Sequence, residues 1–170
     1  MATTSYMQKY FTTAYKLLQA NMSPEGIAHA IRVMELRHYD TLGLGDERYG
    51  SDSITNRAAW RHDSVSALLH DVVEDSAVTL DDIERLFGLK VRRTVDLLTR
   101  RDGETYFDYI ARVSSDDIAT GIKLADLHDH LWQQRHTLPE SLKPRYEKAR
   151  KILTPATGKH YLPRQVALPS

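Results

Sequence analysis

The sequence predicts an all-α fold, on three observations. Apolar residues recur at three-to-four spacing along most of the chain. Helix-start signals, Ser23-Pro24-Glu25, Thr79 and Ser115-Asp116-Asp117, stand at the head of the apolar segments. No stretch shows sustained period-two alternation with β-branched residues. At 170 residues the chain fits one domain of the common size, about 100–200 residues. The expected organisation is a single helical unit over 1–153, with an irregular insertion at about 40–56 and a Pro-containing tail over 154–170.

The elements follow in order. Tyr6, Tyr10, Ala14, Leu17 and Leu18 mark an amphipathic helix from about Ser5 to Ala20. Ser23 as cap and Pro24 in the first turn open a second helix, carrying Ile27, Ile31, Val33, Met34 and Leu36, to about Tyr39. Residues 40–56, with Gly43, Gly45 and Gly50, read as a loop, and loops beyond about 12–15 residues are often functional. A third helix is expected from about Thr55 to Glu74. Thr79 and Asp82 form a capping-box pair for a short helix from Leu80 to Phe87, which Gly88 ends. Helices over about Lys90–Thr99 and Thr105–Val113 flank the turn Arg100-Arg101-Asp102-Gly103. A helix opened by Ser115-Asp116-Asp117 holds Ile118, Ile122, Leu124, Ala125 and Leu131, and Pro139 begins the last, to about Leu153.

Composition excludes several functions. Hydrophobic residues are 41% and charged residues 27% of the chain, which excludes global disorder. Lys+Arg and Asp+Glu are 23 each, so the broad basic surface of general nucleic-acid binding is not expected. Cysteine is absent, which excludes disulfides, thiolate nucleophiles and Cys-ligated metals. No apolar run approaches the roughly 18 residues of a membrane span, and the N-terminus lacks a secretion-signal pattern, so a cytoplasmic location with no membrane partner is expected.

The chemistry concentrates in Leu68-Leu69-His70-Asp71-Val72-Val73-Glu74-Asp75. On one continuous helix His70 would lie near Glu74 and Asp71 near Asp75, four residues on. Charged groups at a core-facing edge are costly unless paired or metal-bound. Asp126 interrupts a second apolar pattern, Ile122-Lys123-Leu124-Ala125-Asp126-Leu127, and His29 a third. A lone Asp on a helix is usually solvated and a lone His usually packed in a core. His62-Asp63 is a second His-Asp dipeptide without a following acid pair, and reads as a surface or loop-facing feature.

The order H…HD…D on separate helices resembles the HD-domain metal-dependent phosphohydrolases. The run HDVVEDSAVTLDDIERLFGLKVRRTVDLLT, followed by RDGETYFDYIARV and KLADLHDHL, is similar to the hydrolase domain of RelA/SpoT-type alarmone enzymes and to small alarmone hydrolases. The resemblance covers about residues 24–153 and is tight from Ala67 to Leu131. It implies a helical HD bundle. It also implies a (p)ppGpp 3′-pyrophosphohydrolase that uses a metal-activated water on a small nucleotide substrate. Carried over by motif, His29, His70, Asp71 and Asp126 are the metal ligands, His29 being preferred to His38. Glu74 and Asp75 orient and deprotonate the water. Two imidazoles and two carboxylates suit Mn²⁺ first, then Fe²⁺, Zn²⁺ or Co²⁺. Lys123, Arg100, Arg101 and Arg61 are the cations for phosphate, and Tyr106, Tyr109 and Trp132 the aromatics for a base. His130 stands where the family usually has Asn, and is carried as a substrate contact or an additional metal contact. The segment QANMSPEGIAHAIR lacks the family's early basic residue, and Ala30 replaces the Pro after the first His. Two other functions are therefore kept open: an HD-type (d)NTP or other nucleotide phosphohydrolase with a rebuilt base pocket, and a non-catalytic nucleotide-binding module. Oligomeric state is left open.

Overall fold

A computed structural model describes residues 2–39 and 62–154. Among the described residues every regular element is helical. The helices are α1 (Ala2–Asn21), α2 (Pro24–Tyr39), α3 (62–68), α4 (Val72–Asp75), α5 (Leu80–Phe87), α6 (Leu89–Leu98), α7 (Tyr106–Val113), α8 (Asp117–His128) and α9 (Lys143–Leu153). A π-helical turn, Asp129–Gln133, continues α8, and a 3₁₀ turn, Glu140–Leu142, precedes α9. The expected loop at 40–56 and the tail beyond 154 lie outside the described residues. None of the described helices is long and apolar enough to cross a membrane.

The helix starts rest on side-chain caps. Ser23 Oγ accepts from Gly26 N at 3.0 Å, so α2 begins at Pro24. Thr79 Oγ1 accepts from Asp82 N while Asp82 Oδ2 accepts from Thr79 N, a reciprocal capping box on α5. Thr105 and Asp116 cap α7 and α8. Gly88 joins α5 to α6 with no intervening loop, at φ 93°, a conformation that favours glycine.

Helix α8 lies at the centre, packed by α2, α6, α7 and α9. Ala119 to Ile122 and Leu124 to His128 are all buried, so only Lys123 interrupts the run. Such a helix has no solvent face. One apolar cluster joins it to Val33 and Leu36 of α2, Leu98 of α6, Tyr109 and Ile110 of α7, and Ala149 and Leu153 of α9. A second cluster joins Ala14 and Leu18 of α1 to Val65, Leu68 and Leu69, and to Ile83, Phe87, Val91 and Val95 of α5 and α6. Met34 of α2 packs against both.

Three expectations need correction. The single helix expected to end at Glu74 is broken at 69–71, between α3 and α4. The carbonyl of Ala67 explains the break: it accepts from His70 Nδ1 at 2.7 Å and only weakly from His70 N, at 3.4 Å. His70 and Asp71 therefore sit in a turn, and the expected one-helix stacking on Glu74 and Asp75 is lost. The last helix starts at Lys143, after the 3₁₀ turn, rather than at Pro139. Asp63 is not a surface feature. It is fully buried and takes a salt bridge from the equally buried Arg37, with Nη2 3.0 Å from Oδ2. A single-residue reading cannot see this pairing, because Arg37 lies across the 40–61 segment.

The turn between α6 and α7 is fixed by Arg112. Its guanidinium is held by Glu104 through two 2.9 Å bonds and donates to the carbonyls of Asp96 and Thr99. This charge-assisted fork lowers the Glu104 carboxyl to about 2.

Two predictions follow from this packing. A Cβ added at Gly121 would overlap the Arg37 guanidinium, which is buried and ion-paired and cannot swing away. Overpacking costs about 1–3 kcal/mol, against about 1 kcal/mol gained in helix propensity, so Gly121→Ala should lower Tm. A raised Tm in thermal unfolding would show that propensity wins. Glu104, with its pKa depressed on folding, stabilises the fold above its unfolded range and loses that contribution as pH falls toward 2. Wild type should therefore exceed Glu104→Gln in Tm at neutral pH, with the gap closing on acidification; a pH-independent gap would contradict this.

Candidate metal centre

Three chain segments deliver the donors. His29 comes from the middle of α2, His70 and Asp71 from the turn at 69–71, and Asp126 from the buried α8. His29, His70 and Asp126 are almost wholly buried, while the Asp71 side chain is 26% exposed. One donor atom from each of the four lies within 4.8 Å of all the others.

The hydrogen bonds behind the rings decide what these atoms offer. His29 Nδ1 is 2.5 Å from Asp129 Oδ2, and a carboxylate can only accept, so Nδ1 carries a proton. His70 Nδ1 is 2.7 Å from the Ala67 carbonyl, which fixes the same tautomer. The two Nε2 atoms stand 3.2 Å apart, each offering a lone pair when its ring is neutral and a proton when it is charged. Asp126 Oδ1 is 2.8 Å from the first and 3.3 Å from the second; Asp71 Oδ2 is 3.5 and 3.1 Å away. With both rings neutral, lone pairs of His29, His70, Asp71 and Asp126 converge on one point; without a cation there, the rings must bring the charge as protons. The arrangement requires positive charge at its centre.

The titration tendencies express the same demand. Burial opposes a charged His29, but hydrogen bonds to Asp126 and Asp129 outweigh it and lift the ring to about 9. Burial opposes His70 likewise, and Asp71 and Asp126 raise it well above its ordinary value. Each carboxylate is held low against burial, Asp71 by His70 and Asp126 chiefly by Lys123. A divalent cation meets this need without two adjacent imidazolium rings repelling one another. The residues fit such an ion: mixed N/O donors, both rings oriented from behind by an acceptor.

The other sequence-derived candidates divide. Lys123 Nζ is 2.6 Å from Asp126 Oδ2 and 5.3 Å from the Tyr109 ring centre, so it stands beside the cluster as a counter-ion. His130 Nε2 is 3.3 Å from Asp126 Oδ1. Glu74 and Asp75 are exposed on α4. Partial desolvation by the surrounding protein, reinforced by Asp71, raises both carboxyls, although the backbone N–H of Arg100 donates to Glu74 Oε1. Arg100 lies 5.9 Å from the Tyr106 ring and donates from Nε to the Glu104 carbonyl. Arg101 is drawn to Asp96 on the surface, at 3.4 Å. Tyr106 is buried with its hydroxyl unpartnered. Tyr109 belongs to the core, its hydroxyl donating to the Leu98 carbonyl, and Trp132 lies between His128 and Arg150. Arg61 and His38 are outside the described side chains.

Two contributors were not visible in the sequence. Asp129 is fully buried and takes bonds from His29, from Arg32 through Nε at 2.7 Å and Nη2 at 3.1 Å, and from Gln134 at 2.6 Å. These interactions hold its carboxyl at about 2 against the effect of burial. Spacing alone gives it no mark, because it sits 100 residues from His29. Arg145 of α9 lies 4.4 Å over the Tyr106 ring, with a buried, unpartnered Nε and no carboxylate in ion-pair reach among the described residues. Tyr146, next to it, packs on both Tyr106 and His130. The aromatic and cationic wall therefore continues outward from the cluster.

No family model matches the chain. Over 100 residues, 54% of its length, it is 31% identical to a probable GTP pyrophosphokinase of Mycobacterium leprae, of which the match covers 13%. Over 34 residues, 20% of its length, it is 56% identical to guanosine-3′,5′-bis(diphosphate) 3′-pyrophosphohydrolase MESH1 of Homo sapiens, of which the match covers 19%. The Mus musculus protein of that name matches equally. The chain thus spans a small part of the curated relatives it resembles. All of them are named for guanosine-nucleotide pyrophosphate chemistry.

Asp129→Asn removes the charge that orients His29. Metal affinity, measured by calorimetry on stripped protein, should fall by about 10–100-fold. Unchanged affinity would mean that the carboxylate serves packing alone.

Proposed function

We propose that the chain is a metal-dependent nucleotide phosphohydrolase of the HD type, acting on (p)ppGpp to release its 3′-pyrophosphate. The observation that carries this is the convergence of four acceptor atoms from His29, His70, Asp71 and Asp126 on one point, beside an acid pair. The short match to a named 3′-pyrophosphohydrolase supports the direction of the reaction.

His29, His70, Asp71 and Asp126 would hold the ion. When bound, such an ion supplies Lewis acidity toward a phosphoryl oxygen and acidifies water. The chain's own residues do the rest. Glu74 and Asp75 border the cluster with raised carboxyl pKa values, which brings them toward the range of a working base. One of them takes the proton of the attacking water. The water oxygen bonds to the phosphorus on the ribose 3′ oxygen; the P–O3′ bond breaks, and the 3′ oxygen regains a proton. Lys123 neutralises Asp126 and so keeps the cluster from repelling a phosphate. Arg145 and Arg100, both over the Tyr106 ring, are the groups best placed to receive pyrophosphate charge, since neither has a carboxylate partner among the described residues. Arg101 is already drawn to Asp96 and stands outside this set.

The test is a panel of ppGpp, pppGpp, NTPs and dNTPs with Mn²⁺, products resolved by chromatography. Pyrophosphate and GDP from ppGpp, lost with chelator and in Asp71→Ala, are expected. Asp75→Asn and Glu74→Gln should together locate the base, the more severe costing about 10²–10⁴ in rate. Turnover of a dNTP with ppGpp untouched would overturn the substrate and leave the chemistry. No turnover of any nucleotide by metal-loaded protein would overturn both.

A further inference from the structure

We propose that His130 is a further nitrogen donor to the metal centre, giving this chain a site of three imidazoles and two carboxylates. The inference rests on the metal-dependent reading above and adds a residue and an ion preference to it.

The π-helical turn that continues α8 brings His130 back over the cluster, four residues after Asp126. Its Nε2 is 3.3 Å from Asp126 Oδ1. That oxygen is the one that faces His29 Nε2 and His70 Nε2. The His130 ring lies 4.5 Å from the His29 ring, centre to centre, tilted by 37°, and is backed on its other side by Tyr146 at 5.6 Å. The ring is therefore held in place rather than free. Its side chain is 27% exposed, against 7% for His29 and 2% for His70, so it borders the cluster on the accessible side. Nothing behind it competes: among the described residues its polar contact is with Asp126 Oδ1 alone.

A simple hydrogen bond from His130 to Asp126 would use the ring as a donor. An asparagine at this position could make that bond equally well from its amide. Nitrogen donation to a cation is different, because the amide offers a hard oxygen instead. Imidazole favours Co²⁺, Ni²⁺, Zn²⁺ and Fe²⁺, whereas carboxylate and carbonyl oxygen favour Mn²⁺ and Mg²⁺. His130→Asn thus separates the two roles.

The experiment uses the full chain stripped of metal and titrated separately with Mn²⁺ and Co²⁺, by calorimetry and by the visible absorption of the Co²⁺ form. Wild type should prefer Co²⁺, and His130→Asn should lose Co²⁺ affinity by about tenfold or more while Mn²⁺ changes far less. The Co²⁺ absorption bands should shift in the variant. Equal affinities and an unchanged Co²⁺ spectrum in His130→Asn would overturn the proposal, with metal binding by both proteins leaving the proposed function standing. Failure of the wild type to bind either ion would overturn both readings. His130→Ala guards against accidental rescue by the amide: it should show the same loss for Co²⁺.

Discussion

A carboxylate on a helix without a solvent face must be compensated, and Asp126 is that carboxylate. Helix α8 is surrounded by α2, α6, α7 and α9, and Asp126 is 2% exposed within it. Its two oxygens are used in opposite directions. Oδ2 takes the Lys123 ammonium at 2.6 Å, while Oδ1 faces the Nε2 atoms of His29 and His70. With both rings neutral and protonated on Nδ1, this inner oxygen faces two lone pairs in place of donors. A central cation resolves this, and the surrounding structure is arranged around that requirement.

Two departures from regular helix build the arrangement. The break at 69–71 turns His70 inward while α4 carries Glu74 and Asp75 to the surface. Its cause is local, the competition of the His70 ring with its own backbone for the Ala67 carbonyl. The π-helical turn after α8 then brings Asp129 behind His29 and His130 beside it. Such single-turn insertions are frequent at functional sites, where they re-aim side chains that a regular helix would point elsewhere. Arg37 and Asp63 lock the same region from the core side, with Gly121 of α8 leaving room for the guanidinium.

The helical architecture was legible because its signals are local: caps at Ser23, Thr79, Thr105 and Asp116, and apolar periodicity between them. The convergence of His29, His70, Asp71 and Asp126 is long-range, and the residue types in their order pointed to it only through a family resemblance. Asp129 and Arg145 left no such trace. Asp129 reads as one more acid in LeuHisAspHis, and its charge is met in the interior by Arg32 arriving from α2 and by Gln134 at the end of its own π-helical turn. Asp63 was misread for the same reason, its partner Arg37 being on another helix. Aromatic residues were ambiguous until packing separated them: Tyr109 is tied to the Leu98 carbonyl, whereas the Tyr106 hydroxyl has no partner.

The most direct measurement is a crystal structure of the protein grown with Mn²⁺, with the ion located by its anomalous scattering. The account predicts one ion at the point shared by His29 Nε2, His70 Nε2, Asp71 and Asp126, at ordinary N/O coordination distances of about 2.0–2.3 Å. An ion bound elsewhere, or a cluster whose two rings are protonated and metal-free at saturating Mn²⁺, would contradict it.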